Sequence, residues 1–125
     1  MSDNYKRGME IRRNVLGDAH VDGAESAKTD LENISDPDHC GAWGTVWASD
    51  RISWRERSML TLALLAATGN FGEIPMHIRA TAKTGSTPDD VAEVFQHVAI
   101  CAGVPGANHA LKLAKQAYAE MEGTK

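Results

Sequence analysis

The chain has 125 residues, 42% apolar and 24% charged, which suits one folded domain and is too apolar for a disordered chain. Its formal charge is −4, from 13 Lys and Arg against 17 Asp and Glu, so it offers no basic footprint for nucleic acid or an anionic membrane. The longest apolar stretch, residues 59–67, is interrupted by Thr61 and falls far short of the roughly 20 residues a bilayer requires.

The opening MSDNYKRGMEIRR lacks a signal-peptide apolar region, so a cytoplasmic protein is expected. Residues 3–16 repeat apolar groups at Met9, Ile11, Val15 and Leu16, which predicts a helix stopped at Gly17. Residues 18–35 are polar and weakly periodic, and read as a loop with a short helix near 30–34. Asp36-Pro37 pairs a cap with a first-turn proline and opens a helix carrying Trp43, Val46 and Trp47. Ser53-Trp54-Arg55-Glu56 fits the capping box. The run that follows, Met59, Leu60, Leu62, Leu64 and Leu65, is apolar around most of a helix, which places this element at the centre.

Asn70 is the expected cap of a helix over 71–83 closed by Gly85. Proline inside a helix costs about 3 kcal/mol, so Pro75 belongs to the first turn and the helix is expected to begin near Gly72 and Glu73. Thr87-Pro88-Asp89-Asp90 starts the next helix, with Val91, Val94, Phe95, Val98 and Ala99 on one face and Gly103 at its end. An alanine-rich helix over about 106–121 closes the chain. No strand pattern competes, so the expected class is all-α. The whole chain, 1–125, reads as a single domain, with an N-terminal helix and loop over 1–35 and a helical core over 36–122.

Several residues could carry chemistry. Glu73 and His77, four apart on one helix, share a face. A carboxylate beside an imidazole can fix its tautomer and suit it to act as a general acid; the same pair can equally be a surface contact. A start near Pro75 sets both residues close to a helix N-terminus, where the macrodipole favours anions. Arg12, Arg13, Arg55 and Arg57 can clamp a carboxylate bidentately or simply face solvent. Trp43 and Trp47, one turn apart, suit either core or pocket wall. His20, in the polar loop, and His39 could join Glu73 and His77 at a metal, but no spacing demands one. His97 and His109 read as surface or interface residues. Cys40 and Cys101 form no CxxC and read as reduced, buried thiols, although a disulfide between them stays open.

Taken together, these residues resemble the carboxymuconolactone decarboxylase family from Tyr5 to about Tyr118. The resemblance is densest in Tyr5-x-x-Gly8-Met9-x-x-Arg12-Arg13-x-Val15-Leu16-Gly17-Asp18-x-His20-Val21 and in Trp43-Gly44-x-x-Trp47. It continues through Arg55-x-Arg57-Ser58-x-Leu60-Thr61-x-Ala63, Glu73-x-x-x-His77-x-Arg79 and Gly103-Val104-Pro105. The resemblance implies an all-helical fold like that of alkylhydroperoxidase D, assembled as a homotrimeric or homohexameric ring. It also implies decarboxylation of gamma-carboxymuconolactone to 3-oxoadipate enol-lactone, in the protocatechuate branch of aromatic catabolism, with neither cofactor nor metal. On this basis His77 is the expected acid or enolate-stabilising donor and Glu73 orients it. Arg12 or Arg13 with His20, and more weakly Arg57, anchor a carboxylate, while Trp43 and Trp47 form an apolar wall.

Two other readings remain. One is a same-fold enzyme acting on a different small lactone or unsaturated acid. The other is a thiol-dependent oxidoreductase like alkylhydroperoxidase D, whose Cys-x-x-Cys-x-x-x-His motif, aligned on His77, falls on Asn70 and Glu73. Neither is a thiol, so disulfide exchange at that place is impossible.

Overall fold

Local capping chemistry and a 3.6-residue apolar period set most of the elements in the computed structural model, which describes residues 3–29 and 38–123. Every regular element among the described residues is helical, as the periodicity predicts. The chain divides into two compact units, Met1–Ser53 and Trp54–Lys125.

In the first unit, α1 spans Asp3–Leu16 and buries Gly8 and Val15. Gly17 interrupts the helix with φ 93° and ψ 150°, a conformation that glycine reaches without the strain a Cβ would bring. A second helix, α2, follows at Asp18–Ser26, where the sequence pattern suggests a loop. Only Val21 of α2 is buried, so the segment has no apolar period to reveal it. Charge holds it instead. Arg13 reaches Asp18 at 3.0 Å and Asp22 at 2.9 Å, and Arg12 reaches Glu25 at 3.3 Å. The short helix expected near 30–34 and the cap at Asp36-Pro37 lie outside the described residues.

The tryptophan-bearing segment is a helix, but a wide one. Asp38–Val46 forms a π-helix, and the Trp47 N–H donates to the Ala42 carbonyl at 2.8 Å, the i→i+5 register of that form. It packs against α1, where Asn4 Nδ2 donates to Thr45 Oγ1 at 3.4 Å.

The second unit is a bundle of four helices. Its first, α3 (Trp54–Thr68), buries Ser58, Leu62 and Ala66 at i, i+4 and i+8. This helix does touch every other helix of the bundle. Its burial is nevertheless one-sided, because Leu60 and Leu64 remain 55% and 64% exposed. The expectation of burial on nearly all sides is thus corrected: an apolar run supplies more apolar surface than the three neighbouring helices cover.

A 3-10 turn, Phe71–Glu73, leads into α4, Ile74–Thr84. Asn70 stands at the cap position of the turn without a capping bond; its Nδ2 donates to Thr68 Oγ1 at 2.6 Å instead. Pro75 falls in the first turn of α4 as its chemistry requires, although the α-helix begins at Ile74 rather than at Gly72 or Glu73. Gly85, with φ 93° and ψ 3°, stops α4 in the left-handed form, its N–H donating to the Thr81 carbonyl at 2.9 Å.

The next helix, α5 (Pro88–Cys101), opens on a capping box. The Asp90 N–H donates to Thr87 Oγ1 at 3.1 Å, and the Thr87 N–H donates to Asp90 Oδ2 at 2.9 Å. The last, α6, runs Val104–Gly123. It starts two residues ahead of the alanine pattern because Pro105 is tolerated in a first helical turn.

In the bundle, α3 contacts α4 and α5, each of which contacts α6. The centre is Leu62, Ile74, Ile78, Val91, Phe95 and the alanine stripe Ala107, Ala110, Ala114 and Ala117. Across the diagonal, a Cβ on Gly106 would stand 3.3 Å from the Ala66 carbonyl oxygen, so α3 and α6 meet there backbone to backbone.

Polar ties fix the ends of the bundle. Arg55 grips Asp90 bidentately, Nε to Oδ2 at 2.7 Å and Nη2 to Oδ1 at 2.6 Å. Ser86 Oγ donates to the Arg55 carbonyl at 2.9 Å. The buried hydroxyls of Ser58 and Thr84 bond at 2.7 Å between α3 and α4.

Two predictions follow from these ties. The Arg55 guanidinium, and then the Thr87 N–H, hold the Asp90 carboxyl well below the usual carboxylate range. A folded-state pKa lowered in this way adds stability that is complete above the unfolded value, about pH 4, and is lost as pH falls through the folded value. Asp90→Asn should therefore lower Tm at neutral pH and flatten the further fall of Tm below about pH 4. Ser58→Ala should cost about 1–3 kcal/mol in urea unfolding by orphaning the Thr84 hydroxyl. Adding Thr84→Val should cost less than the sum of the single changes.

Candidate active site

Glu73 ends the 3-10 turn, occupies the N-cap position of α4 and is exposed. His77 lies one turn further on, half-buried, with Nδ1 shielded from solvent. Both residues therefore stand at the positive end of the α4 dipole. Beyond His77, Thr81 and Thr84 follow at i+4 and i+7, so α4 carries a polar stripe into the bundle. Thr81 Oγ1 donates to the Ile78 carbonyl at 2.5 Å, and Thr84 holds Ser58.

Arg57 stands next to Ser58 on α3, half-buried, with Nε shielded from solvent. Tyr118 of α6 shares a cleft of about 260 Å³ with Thr81, Ser86 and Glu122. Burial pushes its phenol up from the usual value, against a smaller opposing effect of Thr81. No pattern in the chain singles out the hydroxyls of Ser58, Thr81, Thr84 or Tyr118, since each is a lone hydroxyl on a helix read for its apolar face. The one available signal was that Thr81 and Thr84 repeat from His77 at helical spacing.

A second cleft of the bundle, about 400 Å³, lies between the ends of α3 and α5 and the start of α6. Its walls are Ala66, Thr68, Phe71, Val98 and the small residues around Gly103, and no charged side chain lines it. Its rim residue Phe71 stacks on His109 at 4.2 Å between ring centroids. His109 and His97 are exposed, as the sequence suggested.

In the first unit, Arg12 and Arg13, at the end of α1, both engage carboxylates of α2. Glu25, the partner of Arg12, also meets Lys28 at 3.3 Å. His20 is exposed on α2, not on a loop. Trp43 and Trp47 are buried, their rings tilted by 34° with centroids 5.4 Å apart. Among the described residues no group of three or more His, Cys, Asp or Glu side chains converges as a metal site, and no helix is long and apolar enough to cross a membrane. Cys101 is an exposed free thiol, which corrects the expectation of burial. It lies in the last turn of α5, at helical spacing from Val94 and Val98 but at the open end of their face. The side chains of His39 and Cys40 lie outside the described residues.

Residues 41–116 match the model of the carboxymuconolactone decarboxylase family. The chain is 34% identical over 124 residues to a 4-carboxymuconolactone decarboxylase of Acinetobacter baylyi, covering 94% of this chain and 88% of that protein. It is 28% identical over 122 residues to nitrosuccinic acid decarboxylase npaB of Metarhizium robertsii, covering 94% of this chain and 82% of that one. An all-helical chain with this likeness over nearly its full length is a carboxy-lyase. It belongs to the carboxymuconolactone decarboxylase family.

The exposed thiol yields a test of its own. Cys101→Ser should remove one readily titrated thiol from the native protein while leaving decarboxylation unchanged. Loss of activity in that variant would bring thiol chemistry back.

Proposed function

We propose that this carboxy-lyase converts gamma-carboxymuconolactone, also called 4-carboxymuconolactone, into 3-oxoadipate enol-lactone and carbon dioxide. The observation that carries this reading is the 34% identity to a 4-carboxymuconolactone decarboxylase over 94% of the chain. The chemistry suits a small protein without a cofactor. The leaving carboxylate sits on a carbon next to a double bond conjugated with the lactone carbonyl. As the carbon–carboxyl bond breaks, its electron pair passes into that carbonyl, and carbon dioxide leaves. One proton is then delivered to the ring carbon next to the lactone carbonyl, which leaves the double bond on the carbon that lost carbon dioxide.

The protein must supply a cation for the spectator carboxylate, a donor for the enolate oxygen and an acid. A donor aimed at a developing oxyanion is typically worth about 3–4 kcal/mol, and a placed acid gives roughly 10²–10⁴ in rate. We assign His77 as the acid or the enolate donor and Glu73 as the residue that orients it. Arg12 or Arg13 with His20, and more weakly Arg57, are the carboxylate anchors, and Trp43 and Trp47 the apolar wall. Asn70 and Glu73 stand where a thiol oxidoreductase would need cysteines. A homotrimeric or homohexameric ring, a cytoplasmic location and a place in the beta-ketoadipate pathway complete the reading.

The likeness to a nitrosuccinic acid decarboxylase favours one second reading, a different small acid as substrate. A nitro group, like a conjugated lactone, can accept the electron pair of a departing carboxylate, so the same acid and anchor would serve.

Incubation with gamma-carboxymuconolactone, following its loss and the release of carbon dioxide, separates the two. No turnover of the lactone alongside turnover of nitrosuccinate would select the second. His77→Ala should lower kcat by about a hundredfold or more with helical circular dichroism unchanged; full activity would remove His77 from the mechanism.

A further inference from the structure

Arg13 is a candidate carboxylate anchor whose binding groups are already in use. Its Nη1 meets Asp18 Oδ1 at 3.0 Å and its Nη2 meets Asp22 Oδ1 at 2.9 Å. A guanidinium can take both oxygens of one carboxylate as parallel bonds, and here the two terminal nitrogens are divided between two different residues. Each aspartate therefore holds by a single point.

We infer that Asp18 and Asp22 set the affinity for anionic substrate by occupying the Arg13 guanidinium until a substrate carboxylate displaces one of them. This rests on Arg13 being the anchor proposed above.

Three observations support the exchange. The Asp18 and Asp22 side chains are 77% and 66% exposed, so a released carboxylate returns to water without a burial penalty. Arg13 itself is 33% exposed, whereas Arg12 is 15% exposed, and Arg13 is the more reachable of the pair. Finally, α2 keeps other ties when one aspartate is displaced. Arg12 still holds Glu25, and Val21 is still buried.

The geometry also distinguishes the two aspartates. Asp18 sits in the first turn of α2, where its charge supports the helix start. Asp22 is one turn further along and has no such second role, which makes it the more expendable ligand. Exposed ion pairs are weak, so the competition tunes affinity by a small factor and does not block the site.

Steady-state kinetics on gamma-carboxymuconolactone with Asp22→Asn, Asp18→Asn, Arg13→Ala and the Arg13→Ala/Asp22→Asn pair test this directly. The expected result is a fall in KM of about two- to fivefold for Asp22→Asn, with kcat and circular dichroism unchanged. Arg13→Ala should raise KM and cancel the effect of Asp22→Asn in the double variant. Asp89→Asn, an exposed charge on α5, controls for net charge and should leave KM unchanged.

An unchanged or raised KM in both aspartate variants, with KM raised by Arg13→Ala, overturns the competition and leaves the anchor standing. An unchanged KM in Arg13→Ala overturns the anchor itself. Should the lactone not be turned over, calorimetric titration with adipate replaces the kinetics. Tighter binding by Asp22→Asn, again cancelled by Arg13→Ala, supports the inference, and equal affinities across the series overturn it.

Discussion

The four-helix unit depends on the junction where Arg55 grips Asp90. One carboxylate there closes the capping box of α5 and takes the Nε–Nη2 edge of a guanidinium from the first turn of α3. Ser86, on the short link between α4 and α5, adds its own bond to the Arg55 carbonyl. The starts of two helices and the end of a third are thereby tied together at one place. Bidentate geometry makes this tie directional, which the alanine-rich packing of α6 is not. Ser58 and Thr84 lie one turn inward and repeat the same logic between neutral groups. Together they fix the register of α3 against α4, the two helices that carry Arg57 and His77.

How much of this was readable in the chain depends on whether the cause is local. The helix start at Thr87, the stop at Gly85 and the first-turn Pro75 are short-range chemistry, and each stands where the sequence places it. The second helix has its cause elsewhere. Its acids Asp18, Asp22 and Glu25 are spaced as a helical stripe, but the stripe has meaning only against Arg12 and Arg13 across the break at Gly17. The π-helix is equally hidden, because no residue type within Asp38–Val46 announces an i→i+5 register. Leu60 and Leu64 show the converse error. Composition reports that a side chain is apolar, and only the arrangement of neighbours reports whether anything covers it.

The candidate site divides along the same line. Glu73 and His77 were legible because helical spacing relates them directly, and the structure adds that they stand at the start of α4 with His77 half-buried. Arginines near the N-terminus were legible as cations but not as cations already engaged. The hydroxyls of Ser58, Thr81, Thr84 and Tyr118 come from three helices, and no one-dimensional pattern links them.

The close approach at Gly106 has a wider consequence. With the α3 and α6 backbones nearly touching at Ala66, the bundle is closed along its diagonal and has no lumen there through which a reactant could pass. Both of its clefts described above lie toward the helix ends. A molecule entering either cleft therefore meets helix ends and not a channel running between the helices.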